Sequence, residues 1–184
     1  MSTLYVDNLE PNLGSQVEIP DLKPLAGSVL QIQQSVLTTT WAGGGSGTTW
    51  YTTPLSVTLT PKNASSKFLV EVSASIGSAY WEIQGRLRRN QTAIGIGDAR
   101  GTRARATFVD NRYEATHAVR NGWGTVTASY LDAPATTSDC TYDLQLNGYS
   151  TNTIGLNYNP YTDPDTSDYF ATPISTLTVT EIAQ

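Results

Sequence analysis

Residues 67–76 read Lys-Phe-Leu-Val-Glu-Val-Ser-Ala-Ser-Ile. Phe68, Val70, Val72, Ala74 and Ile76 form one alternating series, and Lys67, Leu69, Glu71, Ser73 and Ser75 form the other. Successive side chains of a strand point to opposite faces, so a period of two sorts these series onto two sides of a sheet. A helix would require apolar residues every three to four positions, which this stretch does not offer. The reading is a half-buried strand with one face in a core and the other wet.

The same period recurs on either side. Leu55, Val57 and Leu59 alternate with Ser56, Thr58 and Thr60. Tyr113, Ala115, His117 and Val119 alternate with Arg112, Glu114, Thr116 and Ala118. Cys140, Tyr142, Leu144 and Leu146 alternate with Thr141, Asp143 and Gln145, and Leu177 and Val179 alternate with Thr176, Thr178 and Thr180. Weaker strand segments lie at 28–36, 80–89, 92–97, 103–109, 123–131 and 153–158. The gaps carry turn residues: Gly43-Gly44-Gly45-Ser46-Gly47, Pro61-Lys62-Asn63, Asn121-Gly122, Asn147-Gly148 and Asn159-Pro160. Short strands with turn signals every ~8–12 residues predict an all-β fold, an antiparallel two-sheet β-sandwich that is jelly-roll-like, over residues 27–184. No helix longer than a turn is expected.

Composition supports this. Thr (27) and Ser (16) dominate the polar residues of the 184-residue chain, and charged residues are only 15%. Hydroxyl side chains suit strands better than exposed helices. A single Cys excludes an intrachain disulfide, so Cys140 is expected to be a small buried hydrophobe. The opening MSTLYVDNLEP has neither the basic nor the apolar region of a secretory signal. No apolar run approaches the ~20 residues of a membrane helix. The expectation is synthesis in a cytoplasm and no membrane insertion.

Residues 1–26 form a different segment. Leu4, Val6, Leu9, Leu13, Val17, Ile19, Leu22 and Leu25 are irregularly spaced and interrupted by Pro11, Pro20 and Pro24. Proline excludes a continuous helix or a central strand. Apolar side chains on an extended segment require another surface to cover them. The reading is an N-terminal anchoring arm that docks on a partner chain or neighbouring subunit, with folding back on its own domain as the alternative.

Charge is distributed unevenly. The net charge is −5, made of −2 over residues 1–80, +4 over 81–120 and −7 over 121–184. The middle part holds Arg86, Arg88, Arg89, Arg100, Arg103, Arg105, Arg112 and Arg120. A nucleic-acid site is disfavoured, because counterion release needs a surplus of positive charge that the chain lacks. Arginine pairs well with carboxylates, and the last third supplies them. Internal or intersubunit pairing is the leading reading, with an acidic ligand or anionic surface glycan behind it.

Catalytic signals are weak. The Gly43–Gly47 stretch fails the nucleophile-elbow pattern, since Thr48 stands where its last Gly belongs. Gly95-Ile96-Gly97 starts a dinucleotide-type pattern, but Arg100 replaces the third Gly and no helix is expected to follow. His117 shares its strand face with apolar residues and reads as a hydrogen-bonded, half-buried histidine. Asp163, Asp165 and Asp168 could supply oxygen ligands for calcium, yet the loop lacks the Gly and Glu of an EF-hand and reads as solvated acid. No acid pair stands out for glycoside cleavage. No catalytic residue, metal or cofactor is expected. Aromatic residues in the loops carry more promise. Trp41, Trp50 and Tyr51 flank the Gly-rich loop, and Tyr158, Tyr161 and Tyr169 crowd the C-terminal loops. Tyr and Trp among Gly, Ser and Asn make rigid amphipathic contact surface, which could stack on sugars; the alternative is that they fill the core or an interface.

Several patches resemble one family. Residues 1–31, MSTLYVDNLEPNLGSQVEIPDLKPLAGSVLQ, carry a VDNL opening, an Ile-Pro segment leading to Leu22-Lys23, and AGSV entering the first strand. Pro61-Lys62-Asn63-Ala64-Ser65-Ser66-Lys67 before Phe68-Leu69-Val70 is similar to that family's TPSSTSSKILV. Ala93–Asp98 and Leu131–Thr137 match its middle, and Ser175–Gln184 resembles its STITAMEIA ending. The order of these patches resembles small virion structural and tail-fibre-like proteins of tailed bacteriophages of the marine and cyanobacterial type. The resemblance implies a non-enzymatic virion protein, often a homotrimer, bound to other phage virion proteins of the tail, fibre or capsid. A tail-fibre or adhesin component would contribute to host attachment, with a host surface glycan as the ligand of its loops. A head (capsid) decoration or knob protein bound to capsomers is the alternative, and a phage-encoded glycan hydrolase is a distant third. The sequence has no repeated fibre shaft. The implied location is the virion, after synthesis in the host cytoplasm.

Overall fold

The computed structural model describes residues 24–44, 47–78, 82–110, 123–148, 153–160 and 171–184. They form eleven strands in chain order: β1 (Val29–Leu37), β2 (Trp41–Gly43), β3 (Tyr51–Leu59), β4 (Lys67–Ser78), β5 (Ile83–Arg89), β6 (Thr92–Ile94), β7 (Phe108–Asp110), β8 (Trp123–Asp132), β9 (Cys140–Gly148), β10 (Ile154–Leu156) and β11 (Ser175–Ile182). No described residue is helical.

All strand pairs are antiparallel and fall into two sheets. In sheet A, β4 pairs with β8 along one edge. Its other edge takes β11 opposite Lys67–Ser73 and then β10 opposite Ile76–Ser78. Beyond these lie β1 against β11 and β2 against β10. β10 and β11 are therefore two halves of one interrupted strand, and so are β1 and β2. In sheet B, β9 lies between β3 and β5, and the far edge of β5 takes β7 and then β6. β6 and β7, along the same edge of β5, are likewise two halves of one, and counting each interrupted strand once the described residues give four strands in each sheet. The chain alternates between them in the order of a jelly roll, which is the expected fold class.

The core is the inner face of both sheets. Leu55, Val57 and Leu59 of β3, Phe68 to Ile76 at alternate positions of β4, Tyr142, Leu144 and Leu146 of β9, and Leu177 and Val179 of β11 are all buried. Phe68 and Tyr142 meet across the sandwich with ring centroids 6.0 Å apart. Cys140 is a fully buried free thiol in this core, as its isolation in the sequence predicts.

The short strands depart from the sequence reading. β2 is not anticipated by any period. The 92–97 segment is a strand only to Ile94, because Gly95 turns to a φ of +57°. Of 103–109, only the end joins β7. The 112–119 segment with His117, the acidic loop at 163–168, and residues 1–23 lie outside the described residues.

β3 carries Pro54, whose missing N–H cannot serve a ladder. The register jumps there, with Thr52 opposite Gln145 and Ser56 opposite Asp143. Thr53 bridges the irregularity: its hydroxyl donates to Leu144 O at 3.0 Å and accepts from Leu55 N at 3.3 Å. A buried carboxylate fixes the β3–β4 loop. Glu181 of β11 is fully buried and accepts hydrogen bonds from the Gln31 side chain and the backbone N–H groups of Lys62 and Asn63.

Candidate functional site

Both outer faces of the sandwich offer surfaces, and they differ in chemistry. The outer face of sheet B is a polar ladder. β5 presents Gln84, Arg86 and Arg88 opposite Asn147, Gln145 and Asp143 of β9, since the registers pair them in that order. Arg88 holds Asp143 through two parallel bonds, Nε to Oδ1 at 2.7 Å and Nη2 to Oδ2 at 3.0 Å, and Nη2 also reaches Thr52 Oγ1 at 3.1 Å. Gln145 donates to the same Thr52 hydroxyl at 3.0 Å. Arg86 donates its Nε–H to Gln145 Oε1 at 2.8 Å and stacks with Cζ 4.2 Å above the Trp50 ring. Burial, and then the charge of Arg88, lower the Arg86 pKa from its ordinary value, with Asp143 opposing them. Asp143, Gln145 and Asn147 are buried in this ladder, which leaves Thr52 exposed and Trp50, Arg86 and Arg88 half-buried.

One end of the sandwich is closed by a second arginine. Arg89 Nη1 donates to the buried carboxylate of Asp132 at 2.6 Å, and the Tyr142 hydroxyl donates to the same oxygen at 2.8 Å. Burial alone would lower the Arg89 pKa, but the bond to Asp132 and its charge raise it overall. Burial and the same carboxylate push the Tyr142 phenol well above its usual range. The expected pairing of the arginine cluster with C-terminal acids thus holds for Arg88 and Arg89.

The outer face of sheet A is nearly uncharged. The registers lay Ile32, Thr180, Leu69 and Leu131 in one row across all four strands. Ile32 and Leu131 are 58% and 49% exposed. The adjoining rows are hydroxyl-rich, and a groove of about 380 Å³ runs among Glu71, Ser73, Thr127, Ser129, Thr176 and Thr178.

The sequence-selected aromatics are placed unevenly. Trp41 lies on β2, half-buried against the core, with its indole over Gly43, where an added Cβ would stand 2.5 Å from Cη2. Tyr51 opens β3 opposite Leu146 and lays its hydroxyl over Gly44. These two glycines make room for the aromatic rings. Trp50 alone of the three joins the polar ladder. Tyr158 is half-buried after β10. Tyr161, Tyr169 and the arm residues Leu4, Val6, Leu9, Leu13, Val17, Ile19 and Leu22 lie outside the described residues. Sequence reasoning missed Arg86 as the partner of Trp50, because the two are joined only through β9.

No protein-family model matches the sequence, and no curated protein matches it. Solved structures with some likeness include that of the infectious bursal disease virus Gx strain, at 7% identity and a TM-score of 0.36, covering 98% of this chain and 47% of that one. The crystal structure of the infectious bursal disease virus VP2 subviral particle matches at 8% identity and a TM-score of 0.38, covering 94% of this chain and 43% of that one. The chain spans less than half the length of either.

Proposed function

We propose that the protein is a non-enzymatic structural subunit of a tailed-bacteriophage particle. It is exposed on the particle surface as a tail-fibre or adhesin-type component, contributes to host attachment and works as a homotrimer. The observation that carries this reading is the row Ile32–Thr180–Leu69–Leu131 across the outer face of sheet A, with Ile32 and Leu131 exposed and Leu69 half-buried. A row of this kind marks contact with another protein, and a second copy of the chain is its occupant. Four strands by the seven residues of β4 opposite β11 give a face of ~19 Å by ~23 Å, roughly 400 Å². A stable contact buries ~800 Å² per partner. The rest is assigned to the arm, residues 1–26, of the neighbouring copy. A face on one subunit and an arm on the next make a heterologous contact, and a threefold rotation between copies closes such contacts into a trimeric ring.

Sedimentation at micromolar concentration tests the contact. The full chain should run as a trimer. Ile32→Lys with Leu131→Lys should run as a monomer with an unchanged circular dichroism spectrum, because both positions are exposed. A monomeric parent protein rejects the assembly. Gold-labelled antibody on intact particles tests the location: label at the tail supports the attachment role, whereas label over the head replaces it with head decoration.

A further inference from the structure

The arginines of sheet B are only partly neutralised. Among the described residues, Arg88 and Arg89 form ion pairs, while Arg86, Arg100, Arg103 and Arg105 form none. Arg86 uses one N–H on Gln145, and its two terminal NH₂ groups have no protein acceptor among those residues. The other three lie on the loop that joins β6 to β7. β6 ends at Ile94 opposite Leu87, and β7 begins at Phe108 opposite Gly85. The 95–107 loop therefore leaves and rejoins the sheet on either side of Arg86. Its base is fixed: Thr107 N–H donates to Gly85 O at 2.8 Å, and Leu87 N–H donates to the Thr107 hydroxyl at 3.0 Å. Arg105 is folded onto Gly97 O, and Arg100 and Arg103 are exposed. Asp98 is the single acid of this loop. A chain with a net charge of −5 thus carries, on β5 and the adjoining loop, guanidinium groups with no ion pair among the described residues.

We propose that this patch binds a carboxylated saccharide. One sugar carboxylate takes the terminal nitrogens of Arg86, whose fork matches it bidentately. The sugar ring lies beside the Trp50 indole, its hydroxyls meet the exposed Thr52 hydroxyl, and the next acidic unit reaches toward the exposed Arg100 and Arg103 of the 95–107 loop. The face is polar, with few of the apolar anchors that a protein partner would use. The acidic remainder of the chain opposes nucleic acid. This inference deepens the attachment reading by naming the ligand class, and the binding itself is measured on the isolated protein.

Titration calorimetry of the full chain with oligogalacturonate, neutral dextran and single-stranded DNA of similar length tests it. Saturable binding of oligogalacturonate is expected, with no binding of dextran and weaker binding of DNA. Arg86→Gln and Trp50→Ala should each weaken oligogalacturonate binding at least tenfold. The triple variant Arg100→Gln, Arg103→Gln, Arg105→Gln alters only loop positions, so it should keep the fold, bind about tenfold more weakly and show a shallower salt dependence. Lack of saturable binding, equal binding of dextran or DNA, or an unchanged triple variant each overturns the proposal. Tail labelling together with any of these failures would reject the site and leave the attachment reading standing.

Discussion

At the residue scale, Asn157 does the most with the least signal. It lies at the break between β10 and β11, with a φ of 65°. Its backbone N–H donates to Ser75 O at 2.8 Å, and its side-chain amide donates to Leu37 O at 2.8 Å and Thr39 O at 2.9 Å. Its Oδ1 accepts from the Ser175 hydroxyl at 2.6 Å, and that hydroxyl in turn accepts from Ser75 N at 2.9 Å. One buried amide thus ties together the bend between β1 and β2, the middle of β4 and the start of β11. Asn157→Ala removes the three side-chain bonds, leaves buried groups unpaired and loses the local tolerance of asparagine for the left-handed conformation. It should cost ~2–4 kcal/mol in urea unfolding. Asn157→Gly loses the same bonds but not the backbone preference, so it should be milder by ~1 kcal/mol. Equal losses would show that the backbone conformation carries no strain. In the sequence, Asn157 reads as one more polar turn residue, because its partners lie up to 120 positions away. Cys140 was legible, since it stands in register with Tyr142 and Leu144 on an apolar strand face.

At the element scale, the sandwich depends on where side chains are missing. Gly85 of β5 faces the core opposite Phe108 of β7, and a Cβ on Gly85 would stand 2.0 Å from the Phe108 ring. The ring covers the bare backbone and docks a three-residue strand that has little else to hold it. Gly85→Ala should therefore cost ~1–3 kcal/mol by overpacking. Combined with Phe108→Ala it should cost less than the two single changes summed, because removing the ring makes room for the methyl. Additive losses in a double-mutant cycle would show that the two do not compete for space. Long strands with one buried face, such as β4, β9 and β11, are legible from their period of two. β2, β6, β7 and β10 have three residues each, too few for a period to emerge. Their existence follows from the edges of longer strands that they complete. The candidate ligand face shares this limit. The arginine cluster and Trp50 are visible in the sequence, but the register of β5, β9 and β3 is what makes them one surface.

At the scale of the whole molecule, the buried end formed by Tyr142, Asp132, Arg89 and Cys140 sets how the fold responds to alkali. Burial, and then the bond to Asp132, raise the Tyr142 pKa above its ordinary 10.0, and burial raises Cys140 above its ordinary 9.0. The unfolded chain releases these protons near the ordinary values while the folded chain keeps them. The unfolded state then binds fewer protons, so stability falls as pH rises. Denaturant unfolding should give a flat stability up to about pH 9, then a decline that Tyr142 steepens by ~1.4 kcal/mol per pH unit above its unfolded pKa. Tyr142→Phe should be less stable near neutrality by ~1 kcal/mol, through the lost bond to Asp132, and should show a shallower alkaline decline. An identical decline in the variant would reject the assignment.

The sequence by itself determined the all-β class, the faces of the long strands and the burial of Cys140. Each of these follows from a period of two and from the cost of leaving apolar side chains in water, which are local properties of the chain. The tertiary structure decided the pairing. It made single interrupted strands of β1 with β2 and of β10 with β11, and it gave two arginines their carboxylates while leaving Arg86, beside Trp50, without one among the described residues. It also laid Ile32, Leu69 and Leu131 in a row. These outcomes depend on register between strands far apart in the chain, and one residue of slip would send every side chain of a strand to the other face.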